Sequence, residues 1–158
     1  MQKVKLQLVT NLGHDRLVQL DKSRTQQVFI NLISNAIKVS PENSEISVFV
    51  YLKDVDHLKA MIGLEVTDQG PGVSPEDRVN IFKPYFTKAA NGQNGQGLGL
   101  SISLRIAEKL GGSLRLEETD NGRGSLFIFK FPVLRPIYGL QQVYKFARLS
   151  GDVKVLAN

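Results

Sequence analysis

Apolar and polar residues alternate along several short stretches of this chain, and two longer stretches switch to a helical period. Between residues 3 and 9, Val4, Leu6 and Leu8 fall on one side, which predicts an edge or near-edge strand. Asn11-Leu12-Gly13 reads as a turn and Leu17 to Leu20 as a short second strand. Residues 22 to 39 carry the strongest helix pattern, with Asp21 or Ser23 as cap. Val28, Phe29, Ile30, Leu32, Ile33, Ala36, Ile37 and Val39 spread over a wide arc, which predicts a largely buried helix. Residues 45 to 53, with Ile46, Val48, Val50 and Leu52 inward, pair as a hairpin with 61 to 68, where Ile62, Leu64, Val66 and Asp68 share a face. Ser74-Pro75-Glu76-Asp77 opens a short helical turn, and the aromatic stretch from Asn80 to Lys88, broken by Pro84, reads as irregular packed chain. A second helix follows Gly99, with Leu98, Ile102, Ile106, Ala107 and Leu110 on its apolar face, and Gly111-Gly112 stops it. Residues 113 to 118 and 124 to 131 form a second hairpin about Asp120-Asn121-Gly122, and Pro132 is expected to end the last strand. The remainder holds one helical pattern near Gln141 to Leu149, with Val143, Phe146 and Ala147 inward.

Bulk properties narrow the classes without choosing one. With 158 residues, 42% of them hydrophobic and 22% charged, one soluble domain with a real core is expected. No apolar run approaches the roughly 18 residues a membrane span needs, and no secretory signal pattern is visible. The absence of cysteine removes disulfides and thiolate metal sites and is compatible with a reducing, cytoplasmic setting. A net charge of +5 suits an anionic partner, but the basic residues are scattered, which argues against nucleic acid and leaves the phosphates of a small ligand. His14 and His57 lack partners at metal-ligand spacing and read as surface residues.

Three stretches carry candidate chemistry. Asn31, Asn35 and Lys38, at i, i+4 and i+7, make one polar stripe on the first helix. An amide oxygen can coordinate Mg²⁺, which takes few protein ligands, and an ammonium can neutralise phosphate. In Asp68-Gln69-Gly70-Pro71-Gly72 a carboxylate continues a buried apolar row, a costly placement unless something pairs with it. The glycines beside it allow a sharp turn and close approach of a polar planar ligand. Residues 88 to 97 are small, polar and glycine-rich, with the character of a lid, and Gly95-Gln96-Gly97-Leu98-Gly99-Leu100 leads into a helix. Free N–H groups at a helix start favour anions, although a plain glycine linker has the same appearance. The spacing matches neither a Walker loop nor a dinucleotide fingerprint.

Taken in order, these stretches resemble the ATP-binding catalytic domain of sensor histidine kinases, within the superfamily of gyrase, heat-shock chaperone and mismatch-repair ATPases. Leu32-Ile33-Ser34-Asn35-Ala36-Ile37-Lys38 is similar to the family's N box and Asp68 to Gly72 to its first glycine box. Phe82 to Phe86 is similar to the F box and Gly95 to Leu100 to the second glycine box. The likeness runs from about residue 3 to 133, leaving 134 to 158 as an extension or linker. It implies an α/β two-layer sandwich: a mixed, mostly antiparallel sheet against about three helices, with ATP under a lid. It also implies that Asn35 holds Mg²⁺, that Asn31 assists at the metal or a phosphate-bound water, and that Lys38 meets phosphate. Asp68 would accept from the adenine amino group, with Gly70 and Gly72 making room, and Phe86 would belong to the pocket. Gly95, Gly97, Leu98, Gly99 and Leu100 would serve the phosphates, with Lys88 reaching in from the lid.

Departures from the family pattern sharpen the expectation. Hydrolysing members of the superfamily carry glutamate where this chain has Asn31, which cannot take a proton at neutral pH. That implies slow intrinsic hydrolysis and transfer to a histidine. The phosphoacceptor motif is missing and His14 does not fit it, so the chain is expected to be an excised catalytic domain, monomeric, acting on a phosphoacceptor and dimerisation domain and indirectly on a response regulator. Lys83 stands where the family often has glutamate. The competing readings are an anti-sigma-type serine kinase and a degenerate nucleotide-binding scaffold.

Overall fold

The computed structural model describes residues 4–12, 18–87, 96–119 and 122–135. Eight elements follow in order: β1 (Lys5–Asn11), α1 (Lys22–Val39), β2 (Glu45–Asp54), β3 (Lys59–Thr67), α2 (Pro75–Arg78), α3 (Gly99–Lys109), β4 (Ser113–Glu117) and β5 (Leu126–Leu134). The strands form one sheet in the order β1-β2-β3-β5-β4. β1 runs parallel to β2, and every other pair is antiparallel.

Alternation decides which face is buried. Val48, Val66 and Phe127 lie in register, as do Val50, Leu64 and Phe129, and these rows face α1 and α3. Phe129 stacks on Phe131 at 4.8 Å between centroids and meets the edge of Phe29 from α1 at 6.3 Å. On the opposite face Tyr51 lies over Gly63, whose lack of a side chain admits the ring, and the Lys130 ammonium sits 5.9 Å from its centroid.

Local chemistry sets the helix limits. The Asp21 carboxylate accepts from the Arg24 N–H at 3.0 Å and caps α1. Ser40, extended and followed by Pro41, ends it. In α2, Pro75 occupies the first turn and Ser74 donates to Asp77 at 2.5 Å. α3 closes with Gly111 at φ 71°: the N–H of Gly112 reaches the Ala107 carbonyl at 2.9 Å and that of Gly111 the Glu108 carbonyl at 3.0 Å.

Three expectations change. Of the strand expected over Leu17 to Leu20, the described residues Val18 to Leu20 form none; Gln19 alone among them pairs, in one isolated bridge to Leu134. Pro132 does not end β5, which continues to Leu134; β4 pairs only as far as Lys130, so the missing N–H takes nothing from that ladder. α1 buries a narrower stripe than its composition suggests: Thr25, Val28, Leu32 and Ala36. Ile30 lies about 200° round the helix from Val28 and is 56% exposed, and Val39, in the last turn, is 40% exposed. The helical pattern after residue 135, and His14, lie outside the described residues.

Candidate functional site

The buried row of β3 runs on through Ile62, Leu64 and Val66 to Asp68, which is only 2% exposed. Its Oδ1 accepts from the Gly70 N–H at 2.8 Å and the Ser125 N–H at 3.2 Å, and its own N–H donates to the Ser125 carbonyl at 3.0 Å. Burial pushes the Asp68 carboxyl above the usual carboxylate range. Hydrogen bonds from the Gly70 N–H and from the Ser125 N–H and hydroxyl act in the opposite direction. The result is a preorganised acceptor at the end of a rigid strand.

Bare backbone brings the other segments to it. A Cβ on Gly70 would stand 2.9 Å from Val39, so this turn closes onto the end of α1. Gly72 (φ 74°) faces the Gly124 carbonyl, and Gly124 (φ 78°) lies so close to the Asp68 carbonyl that no side chain fits. Gly97 (φ 65°) packs on Tyr85 and Phe86, where a Cβ would stand 2.7 Å from backbone. Its carbonyl accepts from the Tyr85 N–H at 2.9 Å. Tyr85 itself holds φ 64°, a left-handed conformation uncommon outside glycine, asparagine and aspartate. Phe86 is half-buried against the core.

At the other end, α3 starts at Gly99, and its first-turn N–H groups have no partners within the helix. The Leu98 carbonyl accepts from the Ile102 N–H and the Ser101 hydroxyl, both at 2.9 Å. Asn31 crosses from α1 to this turn: its Nδ2 donates to the Gly99 carbonyl at 3.2 Å and to the Ser103 hydroxyl at 3.1 Å. Asn35 is half-buried and Lys38 exposed on the same helix. The structure thus joins Asn31 to the start of α3, and brings the turn at Gly70 to Val39 at the end of α1; Asn35 and Lys38 lie between Asn31 and Val39 on that helix. Lys88 and Gly95 lie outside the described residues.

Sequence reasoning missed Ser103, Gly124 and Ser125. Gly122-Arg123-Gly124-Ser125 looks like the tail of a hairpin turn, and only its second glycine, two residues before β5, hints that something comes close. Chemically, the site offers a carboxylate acceptor at one end. At the other it offers the Asn31 amide and the first-turn N–H groups of α3.

Comparison with known proteins fits this layout. Residues 20–135 match the family described as "Histidine kinase-, DNA gyrase B-, and HSP90-like ATPase". Sensor protein KdpD of Clostridium acetobutylicum is 38% identical over 119 residues, 73% of this chain and 13% of that protein. The catalytic domain of histidine kinase ThkA superposes with a TM-score of 0.61 at 32% identity, covering 82% of this chain and 80% of that one. The mycobacterial sensor histidine kinase MprB superposes with a TM-score of 0.63 at 29% identity, covering 85% and 84%. The chain spans between 13% and 25% of the length of the first curated relatives it matches.

Proposed function

Because this chain belongs to the histidine kinase-, DNA gyrase B- and HSP90-like ATPases, and within them to the histidine kinase catalytic domains, we propose that it binds Mg-ATP and transfers the γ-phosphoryl group to a histidine on a separate phosphoacceptor domain. The resemblance drawn from the four boxes and the two-layer fold both hold. The observation that carries the reading is the buried Asp68 carboxylate, fixed by the Gly70 and Ser125 N–H groups beside the bare backbone of Gly70 and Gly72.

In this reading Asp68 accepts from the adenine amino group, Gly70 and Gly72 leave room for the ring, and Phe86 lines the pocket. The N–H groups of Gly97 to Leu100 receive the phosphates at the start of α3, with Lys38 adding positive charge and Lys88 and Gly95 contributing from the lid. The donor set suits Mg²⁺. No described residue donates to the Asn31 oxygen, amide oxygens are hard ligands, and Mg²⁺ keeps waters and phosphate oxygens in its shell. Asn35 would hold the ion, with Asn31 assisting at the metal or at a phosphate-bound water. Bound there, the ion would neutralise charge on the phosphates. Asn31 takes no proton, so water is poorly activated, and an imidazole lone pair is the natural nucleophile.

Residues 1–133 form the catalytic domain in this proposal and 134–158 an extension or linker, whose first residues stay on the sheet: Leu134 ends β5 and the Arg135 N–H donates to the Leu58 carbonyl at 2.8 Å. No helix among the described residues is long and apolar enough to cross a membrane, and we place the domain on the cytoplasmic side, monomeric, upstream of a response regulator. The test is phosphotransfer in trans. Mixed with a dimerisation and phosphoacceptor domain and γ-labelled ATP, the chain should yield acid-labile, base-stable label on that domain. ATP binding without any such transfer would refute the kinase reading in favour of a nucleotide-binding scaffold.

A further inference from the structure

The contact between Asn31 and α3 has a directionality that assigns a role to Ser103. The Gly99 carbonyl is an acceptor only, so the group facing it must be the amide NH₂. Ser103, fully buried on α3, accepts from the same nitrogen, so the two N–H donors have two acceptors. Turning the amide over would set carbonyl against carbonyl at Gly99. Asn31 is therefore held with its NH₂ toward α3, and among the described residues nothing donates to its oxygen.

We propose that Ser103 is a positioning residue: with the Gly99 carbonyl it locks the Asn31 amide so that an acceptor oxygen, and never a donor, is presented to the nucleotide. An acceptor suits a cation or the waters around it, and it disfavours direct contact with phosphate oxygens. The inference rests on the Mg-ATP reading above and makes it specific, placing Asn31 on the metal side of the site. The same lock ties the first turn of α3 to α1, so the amide also holds the phosphate-binding N–H groups at a fixed distance from Asn35.

The test is calorimetric titration of the whole chain with ATP, with and without Mg²⁺, and with adenosine, beside thermal melting. Ser103→Ala should weaken Mg-ATP binding by about fivefold, the effect of one neutral hydrogen bond. Affinity for adenosine, and for ATP in chelator, should stay within twofold. In an Asn31→Ala background the same substitution should add nothing to the Mg²⁺-dependent part. Ser103→Cys keeps the volume with a weaker acceptor and should show the same split even if the alanine variant folds poorly. An equal loss of adenosine and Mg-ATP affinity would show a merely structural serine and overturn the proposal. So would a Mg²⁺ dependence that survives both substitutions, leaving the Mg-ATP reading intact. If the unaltered chain binds ATP with no Mg²⁺ dependence at all, the metal reading falls and this proposal with it.

Discussion

Replacing Asp68 by asparagine separates binding from folding, because the carboxylate is held at a cost. Asparagine keeps an oxygen to accept from the Gly70 and Ser125 N–H groups at 2.8 and 3.2 Å, so the local frame survives. It puts an amide where the adenine amino group should find a charged acceptor. Hydrogen bonds to charged groups contribute about 1.5–3 kcal/mol, so ATP affinity should fall roughly ten- to hundredfold or more. Stability should move the other way. Burial raises the Asp68 carboxyl in the folded chain, so between the ordinary carboxylate value of about 3.9 and the raised one the native state holds more protons than the unfolded state. Stability therefore declines as pH climbs through that window, and above it the folded chain carries an ionised, desolvated carboxylate. Asp68→Asn removes that decline. Urea denaturation of both proteins without nucleotide, from pH 4 to pH 8, should find the variant at least as stable as its parent at neutral pH. Its advantage should shrink toward acid. Calorimetry with ATP gives the binding arm. Affinity unchanged within twofold, or a variant clearly less stable at pH 7, would refute the idea that Asp68 is an acceptor kept for a ligand.

Two further substitutions probe the frame around that carboxylate. Phe129→Ala should destabilise the domain by about 3–5 kcal/mol in denaturant titration, since the ring is fully buried between Phe131 and Phe29. Gly124→Ala combines a left-handed φ of 78° with a collision against the Asp68 carbonyl; it should lower stability by more than about 1–3 kcal/mol and weaken adenosine binding as well as ATP binding, which titration with both ligands would show.

What could be read from the sequence was what depends on local rules. α1 was legible because its cap, its period and the Ser40-Pro41 stop all agree, and β3 because alternation runs unbroken into Asp68. Legibility fails where partners are remote in sequence. Nothing near Ser125 announces Asp68, 57 positions away, and nothing near Ser103 announces Asn31, 72 positions away. The exposure of Ile30 was an error of helical angle, since the residue lies across the axis from Val28. Pro132 misled because a proline is barred from a strand only where its N–H is needed, and the short length of β4 removes that need.

The two ends of the site rest on different parts of the sheet's hydrogen-bond ladder. Asp68 and Ser125 extend the pairing of β3 with β5, two central strands flanked by neighbours and covered by the helices on one face. Amides there should exchange with solvent only when the whole domain opens. The turn at Gly97 is tied by the Tyr85 N–H and the start of α3 by the two Asn31 bonds, and amides there should exchange through smaller openings. The base end of the pocket thus inherits the global stability of the fold, and the phosphate end depends on the few bonds at Tyr85 and Asn31 that hold it in place.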